Sequence, residues 1–169
     1  MRYLSIINET ITDGDGMRTS IYVSGCSHQC HGCHNPQTWD SKNGTKITPE
    51  FIDELIIKIK QNPLLSGVTF TGGDPLDDDN AEDLLWILKK FKAAGINVWC
   101  YTGYVIEDLL VLYPQRECLL YIDVLVDGPF EEDLKDPDLV FIGSSNQRII
   151  RLLGENSSNE FYELPTATH

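Results

Sequence analysis

Three of the five cysteines crowd into eight positions, within Gly25-Cys26-Ser27-His28-Gln29-Cys30-His31-Gly32-Cys33-His34-Asn35. The spacing Cys-x3-Cys-x2-Cys lets Cys26, Cys30 and Cys33 wrap one inorganic centre from a single turn of chain. Cubane iron–sulfur clusters usually take four cysteines, so a three-cysteine set leaves one iron free to bind something else, and that iron is the reactive position. Zinc is the competing reading, with the three thiolates and one of His28, His31 or His34 closing a tetrahedron. A zinc knuckle, however, does not usually sit at the carboxyl end of a strand in a fold that also carries a Gly-Gly-Asp turn. Cys100, beside Trp99, and Cys118 read as small buried hydrophobes. An odd cysteine count with this clustering fits a reducing compartment and a metal site better than a disulfide framework.

The elements that must position this loop are legible as alternating patterns. Short β-branched or apolar runs at Thr19–Ser24, Gly67–Thr71, Ile96–Thr102 and Tyr121–Val126 predict strands, each ending in a glycine-bearing turn. Between them lie helical periodicities. The first starts at Thr48 as N-cap with Pro49 in the first turn, presents Phe51, Ile52, Leu55, Ile56 and Ile59, and stops near Pro63. The second runs from about Ala81 to Ala94 with Leu84, Leu85, Leu88 and Phe91 inward and Gly95 as terminator. A weaker third spans Val105–Leu112. Arg148–Leu153 suggests a last strand. Strands alternating with helices imply an α/β fold with a parallel sheet, in which functional groups collect at the carboxyl ends of the strands. Gly25-Cys26, Thr71-Gly72-Gly73-Asp74-Pro75, Thr102-Gly103-Tyr104 and Val126-Asp127-Gly128 all fall there.

With 169 residues and 41% hydrophobic content, the chain has material for one core, expected over 1–153. The tail 154–169, rich in Ser, Asn and Glu, is expected to be loosely ordered. A net charge of −13 argues against binding a phosphate backbone, so no nucleic-acid partner is expected. Asp77-Asp78-Asp79 and Glu131-Glu132-Asp133 read as solvated loops and helix starts. No apolar stretch approaches the roughly 20 residues of a membrane span, and Asn8, Glu9, Asp13 and Asp15 interrupt any signal-peptide pattern. A cytoplasmic location without membrane attachment is expected.

The cysteine loop resembles the signature of the radical S-adenosylmethionine superfamily, and the chain to about residue 153 resembles the activating enzymes of anaerobic ribonucleoside-triphosphate reductase. The segments that carry this are Asp13-Gly14-Asp15-Gly16-Met17-Arg18, Val23 through Asn35, Thr38-Trp39, Thr71 through Leu76, Trp99 with Tyr101-Thr102-Gly103-Tyr104, Val124 through Gly128, and Gly143-Ser144-Ser145-Asn146-Gln147. The resemblance implies a truncated βα barrel of mainly parallel strands with flanking helices. It implies a [4Fe–4S] cluster on Cys26, Cys30 and Cys33, whose open iron chelates S-adenosylmethionine. Reductive cleavage would yield a 5′-deoxyadenosyl radical that takes hydrogen from a glycine of the reductase. Gly32, Cys33 and His34 would line the nucleotide side. Gly72 and Gly73 would let the main chain approach the methionine amino group, and Asp74 would oppose its charge. The implied partners are the large subunit of the reductase and a low-potential electron donor such as a flavodoxin.

The sequence departs from the family pattern at Asp15, His34 and Pro129, where relatives often place proline, tyrosine and lysine. Asn35, Asp127 and Ser144–Gln147 are weaker site candidates, since polar residues at such turns are commonly helix caps. Two other functions stay open on sequence. One is radical chemistry on a different glycyl-radical enzyme or a small molecule, and the other a non-enzymatic metal-binding module.

Overall fold

The computed structural model describes residues 1–152 and 161–164. Its frame is one eight-stranded mixed sheet, with the four central strands parallel and both flanks antiparallel. β1 (Arg2–Thr10) and β2 (Met17–Ser24) form an antiparallel pair. β2 is also the first parallel strand, followed across the sheet by β4 (Leu65–Gly72), β5 (Asn97–Tyr101) and β6 (Val124–Asp127). β3 (Thr45–Lys46) caps the outer edge of β1, while β7 (Arg148–Leu152) and β8 (Phe161–Leu164) extend the other side. Parallel pairing therefore holds for the centre alone. β8 lies inside the segment expected to be loosely ordered; the rest of that tail, beyond Leu152, lies outside the described residues.

Side chains alternate across the strands, so each strand serves two layers. Ile21 and Val23, Val68 and Phe70, Val98 and Cys100, and Leu125 belong to the main core with α1 (Pro49–Gln61) and α2 (Asp78–Ala93). α1 contributes Ile52, Leu55 and Ile59; α2 contributes Leu84, Ile87, Leu88 and Phe91, the last edge-on to Phe70 at 5.7 Å. Each such side chain, taken from water, is worth about 1.5–3 kcal/mol. On the opposite face Trp99, Val124, Val126 and Ile149 form a second cluster with Ile142. Arg18 enters from β2 and is 1% exposed. Its Nε donates to Thr69 Oγ1 at 2.8 Å and its Nη2 to Val68 O and Asn97 Oδ1 at 2.8 and 2.9 Å. The guanidinium lies 5.4 Å from the Trp99 ring. These partners are neutral, and burial pulls its pKa down.

Helix punctuation follows local chemistry. Thr48 Oγ1 accepts the Phe51 N–H at 3.3 Å and Pro49 occupies the first turn. α2 begins at Asp78, three positions ahead of the expected Ala81, because Asp77 is the N-cap and Asp78 and Asp79 supply first-turn negative charge. The third helix is shorter than expected, α3 (Ile106–Leu109), with a separate α4 (Gln115–Cys118) after Pro114. The strand expected from Tyr121 starts at Val124, since Leu119–Tyr121 is a 3-10 turn. No helix among the described residues is long and apolar enough to cross a membrane.

Candidate functional site

The loop leaving β2 is irregular, and its frame comes from its neighbours. Gly25 N donates to Thr38 O at 2.7 Å and Cys26 N to Trp39 O at 3.2 Å, so the segment beyond the cysteines buckles back onto their start. Ser27 N donates to Asp77 Oδ2 at 2.8 Å, tying the loop to the α2 N-cap. Gln29 takes φ +46° and Gly32 φ +71° to turn the chain between thiols. Asn35 N donates to Cys33 Sγ at 3.4 Å. Cys26, Cys30 and Cys33 are half-buried and line one cavity of about 220 Å³ at the carboxyl edge of the parallel strands. The Cys26 thiol is pushed up to about 11, first by burial and then by the Asp74 charge, while the backbone N–H groups of His28 and Gln29 pull it down.

His34, Gly72, Gly73 and Asp74 line the same cavity, as do Thr71, Tyr101, Gly103, Phe130, Gly143 and Gln147. Gly32 is next to it, its Cα packed so that a Cβ would fall 2.7 Å from the Glu132 carboxyl carbon. Three of these residues also carry structural duties of their own. The sheet leaves no room for a side chain at Gly72 or Gly73: a Cβ at Gly72 would come 2.8 Å from Tyr22 Cα, and one at Gly73 would come 2.6 Å from Gly25 O. Asp74 lines the cavity while engaged by the protein itself. It is 1% exposed; its Oδ1 accepts from Leu76 N at 2.9 Å and its Oδ2 from Gly103 N at 2.9 Å and Thr102 Oγ1 at 3.0 Å. His28 Nε2 stands 3.1 Å from the same Oδ2, an ion-pair contact without hydrogen-bond alignment. Facing that carboxylate raises the His28 pKa, against the opposing effect of burial.

Three of the weaker sequence candidates, Asp127, Asn146 and Gln147, join loops of the site. Asp127, fully buried, accepts from Ile106 N at 2.8 Å and Arg148 Nε at 2.9 Å. Gln147 Oε1 accepts from Gly143 N at 2.8 Å while its Nε2 donates to Gly128 O at 3.0 Å, joining two loops of the cavity wall. Asn146 Nδ2 donates to Pro129 O at 2.8 Å. Glu132, expected in a solvated loop, meets His31 Nδ1 at 2.6 Å, and Phe130 packs against His34 with ring centres 5.3 Å apart. Sequence reasoning missed Tyr101 and Phe130 as cavity wall; the only signal was an aromatic residue at or just beyond a strand end.

The donor set fits an iron–sulfur cluster. Among the described residues no three His, Cys, Asp or Glu side chains converge as ligands of one metal ion, yet three thiols share one cavity wall. A cubane presents a separate iron to each thiol, so its ligands need not meet. Residues 12–150 match the family described as "4Fe-4S single cluster domain". Fold and site thus define a single-cluster iron–sulfur protein on a mixed α/β sheet. Among curated proteins, the anaerobic ribonucleoside-triphosphate reductase-activating protein of Salmonella typhimurium is 38% identical over 155 residues, covering 90% of this chain and 99% of its own. That of Escherichia coli is 37% identical over the same length with the same coverage. That of Enterobacteria phage T4 is 37% identical over 153 residues, 88% of this chain and 93% of its own. The chain belongs to this family of reductase-activating proteins.

Proposed function

We propose that this chain activates an anaerobic ribonucleoside-triphosphate reductase by reductive cleavage of S-adenosylmethionine at a [4Fe–4S] cluster held by Cys26, Cys30 and Cys33. The observation that carries the reading is the placement of three thiols and no fourth cysteine in one cavity at the carboxyl edge, in a chain of this family. Bound there, such a cluster supplies the electron that divides S-adenosylmethionine into methionine and a 5′-deoxyadenosyl radical, which takes a hydrogen atom from a glycine of the reductase. The chain's own residues bind, orient and keep water out. Gly32, Cys33 and His34 flank the nucleotide, with Phe130 against the His34 ring closing that side. Gly72 and Gly73 offer backbone to the methionine end, and Tyr101 walls the interior. The short sheet is a βα barrel left open along one side, through which a reductase loop reaches the cavity. The electron comes from a low-potential carrier of the flavodoxin kind.

Anaerobic incubation of the iron-loaded chain with S-adenosylmethionine, a reductant and the cognate reductase should give 5′-deoxyadenosine and a glycyl radical visible by electron paramagnetic resonance. 5′-Deoxyadenosine without a protein radical would refute the reductase as target. Zinc at one per chain in a colourless protein would refute the enzyme reading altogether.

A further inference from the structure

We propose that His28 is a positioning residue: through Asp74 it fixes the cysteine loop against the Gly72-Gly73 turn and the Thr102-Gly103-Tyr104 turn, setting where S-adenosylmethionine meets the cluster. The inference rests on the function proposed above for its ligand, though not for the clamp itself. Of the three histidines in the loop, His31 and His34 are exposed, His31 with 94% of its side chain free, while His28 turns inward with 21%. Its ring is held on three sides. Asp74 Oδ2 lies 3.1 Å from Nε2, Tyr104 meets the ring edge-on with centres 4.5 Å apart, and Gly103 lies so close beneath that a Cβ there would fall 2.5 Å from the imidazole.

The loop has little else inside it to hold this shape. Between Cys26 and Cys33 one backbone-to-backbone hydrogen bond forms, Cys33 N to Cys30 O at 3.2 Å; the His28 and Gln29 N–H groups face Cys26 Sγ, and Ser27 N is tied out to Asp77. His28 links the arc between the first two thiols to the turns after β4 and β5 through its ring, beside Ser27, whose side chain meets Tyr104. Asp74 is the shared post. Its carboxylate already takes Thr102 Oγ1 and Gly103 N, so the third contact, to His28, brings the cysteine loop into register with both turns. A carboxylate so occupied acts through the groups it orients.

The test compares His28→Ala, His28→Gln, Asp74→Asn and the His28→Ala/Asp74→Asn double variant as full chains loaded anaerobically with iron and sulfide. All should carry the wild-type iron content. S-adenosylmethionine affinity, read from the change it causes in the electron paramagnetic resonance of the reduced cluster, should fall about tenfold in His28→Ala, the equivalent of losing about 1.4 kcal/mol. Glutamine, which can place an amide nitrogen near the Nε2 position, should restore most of it. The double variant should be no weaker than Asp74→Asn alone, because both remove one clamp. Unchanged affinity and spectrum in His28→Ala, or single effects that multiply in the double variant, would overturn the proposal. A second arm uses the metal-free chain: His28→Ala should speed thiol labelling of the cysteine loop several-fold and His28→Gln should not, whereas equal rates in all three proteins would overturn the clamp. A wild-type cluster blind to S-adenosylmethionine, with labelling as expected, would instead strike the functional reading and leave the clamp standing.

Discussion

Replacing Gly72 by alanine separates two explanations of the glycine pair, ligand approach and sheet packing, and the structure gives the size of the effect. Gly72 takes φ +99°, and its added Cβ would stand 2.8 Å from Tyr22 Cα and 2.9 Å from Tyr22 C and Val23 N, backbone atoms that cannot swing away. The conformational cost of a left-handed alanine is about 1–2 kcal/mol, and forcing a methyl into a packed position adds about 1–3 kcal/mol. Gly95→Ala is the control, because Gly95 takes φ +72° with nothing within 4 Å of the new carbon. It should show the conformational part alone, about 1–2 kcal/mol. For a chain of this length, where each kcal/mol moves the midpoint by roughly 2–4 °C, Gly72→Ala should melt about 4–20 °C lower and Gly95→Ala about 2–8 °C lower. The assay is urea and thermal unfolding of the metal-free chain followed by circular dichroism, with unchanged urea slope required so that the shift reports stability. Equal losses in the two variants would refute the steric account. Wild-type stability in Gly72→Ala, with affinity for S-adenosylmethionine alone reduced, would show that the glycine serves the ligand.

Three other perturbations test the frame of the site. Asp127→Ala should lower unfolding free energy by about 3–5 kcal/mol, because it strands Arg148 and the Ile106 N–H that the fully buried carboxylate satisfies; a loss below about 1 kcal/mol in urea unfolding would contradict that role. Glu107 stays ionised in the native state until low pH, since two hydrogen bonds from Arg148 hold its carboxyl near 2 rather than 4.5. Its contribution is therefore present above about pH 4.5 and fades as pH falls towards 2. With Glu107 57% exposed, screening limits it to less than about 1 kcal/mol. The stability gap between wild type and Glu107→Gln should close over that acid window, and a gap independent of pH would refute the assignment. Thr48→Ala should cost about 1 kcal/mol through loss of the α1 cap, measured by the same unfolding curves, and no change would mean that the Phe51 N–H finds another partner.

Features encoded by neighbouring residues are legible in the sequence alone. Thr48 ahead of Pro49 and the Leu84/Leu88/Phe91 stripe with Gly95 behind it each state their role within a few positions, and the spacing of the three cysteines foretells that they share one cavity. What the sequence hides depends on distant partners. β1 keeps no clean alternation, since its pairing with β2 shifts register after Tyr3 and after Ile7, and Leu4 and Ile7 remain exposed. β3 and β8 are two and four residues long and exist as strands because a neighbour pairs with them. The site shows the same division. Position alone marks Asp74 as a carboxylate in a strand-end turn, but only the fold reveals that Thr102 and Gly103, 28 and 29 places further on, occupy it.

That occupation repeats around the carboxyl edge and explains how an irregular set of loops holds one cavity. Asp77 reaches from the start of α2 to Ser27 in the cysteine loop. Asn80, one turn into the same helix, donates to Ser24 O and Asp74 O at 2.9 Å each, closing β2 against the glycine turn. Asp74 takes the turn after β5, Asp127 takes the start of α3, and Gln147 spans the last two wall segments. Each of these links satisfies a backbone group that a strand end or helix start leaves unpaired, and each sits where an unpaired group would cost about 1–3 kcal/mol. Several acids of this strongly acidic chain thus serve as loop fasteners rather than as solvated surface. Because the fasteners share loops, loosening one displaces the neighbour of the next. The cavity that the three thiols share therefore draws on side chains from as far along the chain as Gln147, and a cysteine loop confined in sequence to eight residues faces a wall assembled by the whole edge of the sheet.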